Sequence, residues 1–254
     1  MKIEVLFPDI CNLYGDLGNV RYLKSSLENA VRLSDGAPIY DVEIIETHLT
    51  DKPLFLREKP DLIYMGTTTE NGQKLVIKKL SQYKEQLKKC IDEGVNFLVT
   101  GNAVEVFGKS IIEDGKEVAY GLGLVDIETR RSSIDRYNCL YVGNFDAGDE
   151  QPLKVVGYKS LFGFIYGNDV ENNEIETVVG YGSNLETKKE GIRINNFVAT
   201  QLIGPLLPLN PLLTKWYMNV VFEVGFEPTC NEAALEAYQA RLDEYMTPGK
   251  GWKY

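Results

Sequence analysis

The chain has 254 residues, 44% of them hydrophobic and 25% charged, with a formal net charge of −10 at pH 7. That length supports a large α/β core without covalent staples. So acidic a balance, its basic residues scattered apart from Lys78, Lys79, Lys84, Lys88 and Lys89, argues against nucleic acid and anionic membranes as partners.

In chain order, Lys2 to Phe7 reads as a short buried strand closed by Pro8, and it runs into the polar, glycine-punctuated stretch Asn12 to Asn19. After it, Val20, Leu23, Leu27, Ala30 and Val31 keep helical spacing, with Asn19 as the expected N-cap. A second strand is expected over Tyr40 to Ile45, after the turn at Gly36 to Pro38, and a third over Asp61 to Gly66. The third opens onto Thr67-Thr68-Thr69-Glu70-Asn71-Gly72 and then one helix from about Lys74 to Glu93, whose lysines read as a solvated face. Free N–H groups at such a loop suit an anionic or oxyanion guest, or a simply capped helix start.

Val95 to Val99 is the fourth strand. It breaks at Thr100-Gly101-Asn102 into helical spacing that runs to Gly108. In an α/β sheet such a break aims the turn and the first helical amides into one crevice, where these folds place their chemistry. The residue at the tip, Gly101, has no side chain to act with. These alternating units predict a doubly wound, mostly parallel sheet flanked by helices.

Past Gly108, Ile111 to Val125, Arg136 to Val142 and Leu153 to Tyr158 read as short strands bounded by turns at Asp114-Gly115 and Gly143-Asn144, which predicts an antiparallel extension. Asp169 to Glu176 reads as a surface loop, and Leu212 to Val221 and Glu232 to Tyr245 as helices flanking a cap region at Pro228 to Asn231. No composition shift demands a second domain, so 1–254 is expected to be a single one. Cys11, Cys90, Cys139 and Cys230 form no CxxC pair, which fits a reducing cytoplasm, and no apolar run approaches the ~18 residues of a membrane span.

Four stretches share an order with one family. Asn12-Leu13-Tyr14-Gly15-Asp16-Leu17-Gly18-Asn19 is similar to the amino-terminal signature N-x-Y-G-D-x-G-N of the CobB/CobQ-like class I glutamine amidotransferases. Gly66-Thr67-Thr68-Thr69-Glu70 falls on that family's oxyanion loop, G-G-G-Q-D, with only Gly66 kept. Gly121 to Arg131 resembles G-L-G-L-L-D-x-x-T-R, and Asn196 to Pro211 resembles G-T-Y-L-H-G-P-L-L-P-x-N-P. Within the family the chain most resembles the GatD-like glutaminase subunits, which work with a Mur-ligase-like protein in amidating the peptidoglycan precursor. The resemblance implies the flavodoxin-like class I amidotransferase fold, a Mur-ligase-like partner, no cofactor and no metal.

It also brings departures. The family's turn reads V-C-x-G-x-Q-x-L-G, and setting its last glycine on Gly108 puts the nucleophilic cysteine at Gly101. The histidine before G-P-L-L falls on Ile203. Glutaminase chemistry needs a thiolate to attack the carboxamide carbon and an imidazole to activate it and protonate the leaving ammonia. Glu105 stands for the family's glutamine, which is expected to make the pocket more negative, and Gln201 stands for a tyrosine. The resemblance thus implies a pocket around Asn12, Asp16, Gly66, Thr67, Thr68, Thr100, Asn102, Glu105, Arg131 and Gln201, with Arg130 or Arg131 available to a carboxylate and no catalytic residue intact.

Three readings differ in class. The favoured one is a catalytically silent amidotransferase-fold protein, acting as a non-catalytic or regulatory partner of a Mur-ligase-like subunit or holding a small polar ligand in the emptied pocket. The second is an enzyme of different chemistry using Asp16, Thr67, Thr68, Thr100, Asn102 or Glu105. The third keeps amidotransferase activity of a cell-wall or cobyrinate type through Cys11 or another thiol. Thr100, Cys11 and the sole histidine, His48, are expected to be structural or loop residues.

Overall fold

The computed structural model describes residues 1–39, 41–171, 175–225 and 231–249. The chain opens with β1 (Lys2–Leu6), α1 (Leu17–Glu28), β2 (Val31–Arg32) and β3 (Glu43–Thr47). It continues with β4 (Leu62–Met65), α2 (Glu70–Leu80), α3 (Lys84–Asp92), β5 (Asn96–Thr100) and α4 (Val104–Phe107). Three short strands follow, β6 (Ser110–Glu113), β7 (Lys116–Tyr120) and β8 (Glu128–Arg131), then the long β9 (Tyr137–Phe145) and β10 (Leu153–Leu161). After these come β11 (Gly163–Tyr166), α5 (Asn168–Glu171), β12 (Ile175–Val179), β13 (Lys189–Glu190), β14 (Ile192–Ile194) and β15 (Phe197–Thr200). The end is α6 (Leu206–Leu209), α7 (Pro211–Val221), β16 (Val224–Gly225) and α8 (Asn231–Met246).

The main sheet has the order β14-β15-β5-β4-β1-β3, parallel throughout except for the β14–β15 edge pair. Its central strands are buried on both faces, which is why they read as continuous apolar runs. Ile63, Met65, Phe97 and Val99 point to α2, α3 and α4. Leu62, Tyr64 and Leu98 point to α1 and α7. Two further four-stranded sheets follow, the antiparallel β10-β9-β12-β13 and the mixed β11-β8-β6-β7, so the expected antiparallel extension is two sheets.

Several local expectations are corrected. The helix expected over Lys74 to Glu93 is two: Ser81 Oγ bonds back to the Ile77 carbonyl (2.7 Å), and a 3-10 turn at Ser81–Tyr83 separates α2 from α3. α2 starts at Glu70 because Thr69 Oγ1 accepts from Gly72 N. Asn19 is no cap. It lies inside α1, buried, with Nδ2 donating to Tyr64 Oη (3.1 Å) and Oδ1 accepting from Leu207 N (2.8 Å). Gly143-Asn144 is no turn but the middle of β9, where a Cβ on Gly143 would lie 2.5 Å from Ile175 Cγ2. The stretch read as a loop over Asp169 to Glu176 ends α5 and begins β12. The second expected strand is displaced, beginning three residues later and ending two later as β3; Tyr40, and most of the cap region including Cys230, fall outside the described residues.

Candidate functional site

The crevice lies at the carboxyl ends of β4, β5 and β15, where parallel α/β sheets place their sites. β5 runs in register with β15, Thr100 opposite Thr200, so the tip of one strand faces the segment leaving the other. Gly101 takes φ of +61°, a backbone conformation that any side chain would strain. A Cβ built on it would lie 2.9 Å from Ile203 Cγ2. The two positions singled out in the sequence, 101 and 203, are therefore face to face.

Two residues lace the strand-end loops together. Asn102 Nδ2 donates to the Thr68 carbonyl (2.8 Å) while its Oδ1 accepts from Thr68 N (3.0 Å). On the other face of the tip, Asp16 Oδ2 accepts from Thr67 N (2.6 Å), Thr67 Oγ1 (2.5 Å) and Thr100 Oγ1 (3.0 Å). The loop amides of Thr67 and Thr68 are thus spent on internal partners, not left for a guest. Asp16 is fully buried, and burial raises its carboxyl above the ordinary range against the pull of those donors.

A cleft of about 220 Å³ opens over this floor. Thr67, Thr68, Gly101, Asn102 and Glu105 line it, with Arg131 and Ile203. The other expected pocket residues lie behind it. Asn12 Oδ1 accepts from Leu17 N at the start of α1, and Gly66 lies so close to the Cys11 carbonyl that a Cβ would come within 2.8 Å. Asp16 and Thr100 are beneath the floor, and Gln201 is fully buried with neither amide atom hydrogen-bonded among the described residues. Of the two candidate arginines, Arg130 is outside, paired with Glu128 and stacked over Tyr166.

Glu105 and Arg131 form a buried polar chain at the cleft wall. Glu105 Oε2 accepts from Gln73 Nε2 (3.0 Å) and lies 3.9 Å from Arg131 Nη1. Arg131 also donates to Gln73 Oε1 and Glu113 Oε2. Burial pushes the Glu105 carboxyl up to about 7, the Gln73 hydrogen bond and Arg131 pulling the other way. The expected fixed negative charge is therefore a group that titrates near neutrality.

At the mouth the structure adds Tyr14, Arg136 and Ser160, which sequence reasoning missed. Arg136 donates to Ser160 Oγ (2.8 Å) and Tyr14 Oη (2.5 Å) and lies over the Phe162 ring. Among the described residues it hydrogen-bonds no carboxylate. Tyr14 was within reach of a sequence reading, as the third residue of the N-x-Y-G-D stretch; Arg136, at the start of β9, carried no comparable signal.

The profile of the CobB/CobQ-like glutamine amidotransferase domain matches residues 2–210. The chain belongs to this family. It is 29% identical over 249 residues, 96% of this chain and 95% of the relative, to the lipid II isoglutaminyl synthase (glutamine-hydrolyzing) subunit GatD of Staphylococcus aureus (strain N315). It is 24% identical over 212 residues, 83% of this chain and 76% of the relative, to the subunit of the same name from Streptococcus pneumoniae (strain ATCC BAA-255 / R6). Among solved structures, PurLQS from Thermotoga maritima superposes with a TM-score of 0.53 at 13% identity, covering 95% of this chain and 98% of that one, which supports the shared fold.

Among the described residues, the remaining nucleophile and base candidates, Cys11 and His48, do not line the cleft of this amidotransferase domain. Cys11 is buried, and burial pushes its thiol up to about 12, opposite to the low value a thiolate nucleophile requires. His48 is half exposed beside Asp9 and Glu46 and does not line the cleft.

Proposed function

We propose that this chain is a GatD-like subunit without glutaminase activity, acting as the non-catalytic or regulatory partner of a Mur-ligase-like subunit. One observation carries the reading: Gly101, at the strand tip where the family's turn has its nucleophile, faces Ile203, and among the described residues neither thiol nor imidazole lines the cleft. Glycine supplies no sulfur to form a thioester, and isoleucine neither accepts nor donates a proton. Loss of one member of such a unit removes several orders of magnitude in rate. The named relatives are subunits of lipid II isoglutaminyl synthases, which supports a partner for this chain as well.

The test has two arms. Purified wild-type chain is expected to release ammonia from glutamine at the no-enzyme rate, and turnover abolished by Cys11→Ala would overturn the reading in favour of a relocated thiol. A pull-down from the native cytoplasm is expected to recover a Mur-ligase-like protein, and its absence would overturn the partnership. A second reading, a small polar ligand in the cleft, is favoured by Arg136, a cation at the mouth whose hydrogen bonds among the described residues go to neutral groups. A thermal-shift screen of small anionic metabolites checks it, with Arg136→Ala expected to abolish any shift.

A further inference from the structure

The tip of β5 is filled from the side. A Cβ built on Gly101 would lie 2.0 Å from Thr67 Oγ1 and 2.9 Å from Thr67 Cβ, so the Thr67 hydroxyl already stands where a side chain at the tip would begin. The obstacle is not the loose end of a long side chain. Threonine is β-branched and stiff at χ1, and turning it would take Oγ1 off Asp16 Oδ2, to which it donates at 2.5 Å. Its backbone N–H is anchored to the same oxygen. Asp16 is fully buried and its other oxygen has no hydrogen-bond partner among the described residues, so a lost hydroxyl donor would leave a buried carboxyl still poorer in partners.

We propose that Thr67, pinned by Asp16, is the foremost obstacle to a side chain at the β5 tip, ahead of Ile203, so that threonine at 67 and glycine at 101 form a coupled pair. Where the inference touches catalysis it rests on the reading that position 101 is the nucleophile's place; the coupling itself does not. The glutaminase reaction is then blocked twice, by the missing thiol and imidazole and by the loss of room for a thiol at the tip. Restoring Gly101→Cys with Ile203→His is insufficient while Thr67 stays.

The experiment is a mutant cycle. Gly101→Cys is made in the wild-type, Thr67→Ser, Thr67→Ala and Thr67→Gly backgrounds, and the thermal midpoint of each is compared with its parent. Overpacking against a pinned neighbour, added to the strain of a positive φ, lowers the midpoint by roughly 5–15 °C in the wild-type and Thr67→Ser backgrounds. The penalty falls by about half in Thr67→Gly, where the backbone strain and the contact with Ile203 Cγ2 remain, with Thr67→Ala between. Iodoacetamide alkylation of the introduced thiol in the native protein is fastest in Thr67→Gly. Should the cysteine variant fail to fold, Gly101→Ala, which adds only the Cβ, gives the same ranking. An equal penalty in all four backgrounds, or relief by serine as large as by glycine, overturns the proposal and leaves the silent-subunit reading standing. Ammonia release by wild type overturns that reading and leaves the coupling standing.

Discussion

Glu105 keeps its proton in the folded chain to about pH 7, against an ordinary value of 4.5. Between these limits the native state binds more protons than the unfolded chain, so the contribution of Glu105 is complete below pH 4.5 and is lost as pH rises through 7. Stability is therefore expected to fall by about 1–3 kcal/mol across that window, where paired carboxylates give the opposite slope. Glu4 and Asp16, both raised by burial, act in the same direction. Urea midpoints at pH 5 and pH 7.5 check this, and Glu105→Gln, which keeps the shape and drops the titration, is expected to flatten the Glu105 part of the difference. The position of Glu105 was legible in the sequence. Its protonation was not, because that depends on Gln73 and Arg131 closing over it from elements 32 and 26 residues away. The same holds for Thr67, whose meaning comes from a strand tip that the sequence places 34 residues further on.

Between elements, the two-way hydrogen bond of Asn102 with Thr68 ties the turn after β5 to the loop before α2. Asn102→Ala leaves a backbone amide and carbonyl of the crevice without partners and is expected to cost about 1–3 kcal/mol. Denaturant midpoints measure the cost, and faster hydrogen exchange at the Thr68 amide locates it; unchanged exchange would show that the loop does not depend on the clasp. At this scale the apolar runs at Leu62 to Met65 and Phe97 to Val99 gave their strands plainly, since burial on both faces writes itself into composition. The break at Ser81 was hidden inside unbroken helical spacing, its cause being one hydroxyl turned back on Ile77. Gly143 has a related cause: glycine followed by asparagine reads as a turn, whereas close packing against Ile175 and Tyr141 is what demands a glycine inside this strand.

Across the whole molecule, a fully buried ion pair inside the antiparallel sheet is tied through its carboxylate to the main sheet. Lys159 on β10 meets Glu190 on β13, and Glu190 also accepts from Thr200 Oγ1 and Gln201 N at the end of β15, two residues before Ile203. Lys159→Met strands a buried carboxylate and is expected to cost about 3–5 kcal/mol, while adding Glu190→Gln recovers part of that loss. Equal destabilisation of the single and double variants in thermal melts would show that the pair does not act as a unit. The sequence carried the mostly parallel sheet and the existence of an extension. It did not show that the extension divides into two sheets, since short strands of similar composition do not announce their partners.

The amino-terminal stretch of this chain does masonry. Asn12 holds the first amide of α1, Asp16 secures the loop before α2, and Asn19 spans from Tyr64 to the backbone of α6. They keep these parts assembled whether or not the site turns over glutamine. The opening signature therefore reports on the scaffold, while the chemistry open to the crevice is read at 67, 101 and 203.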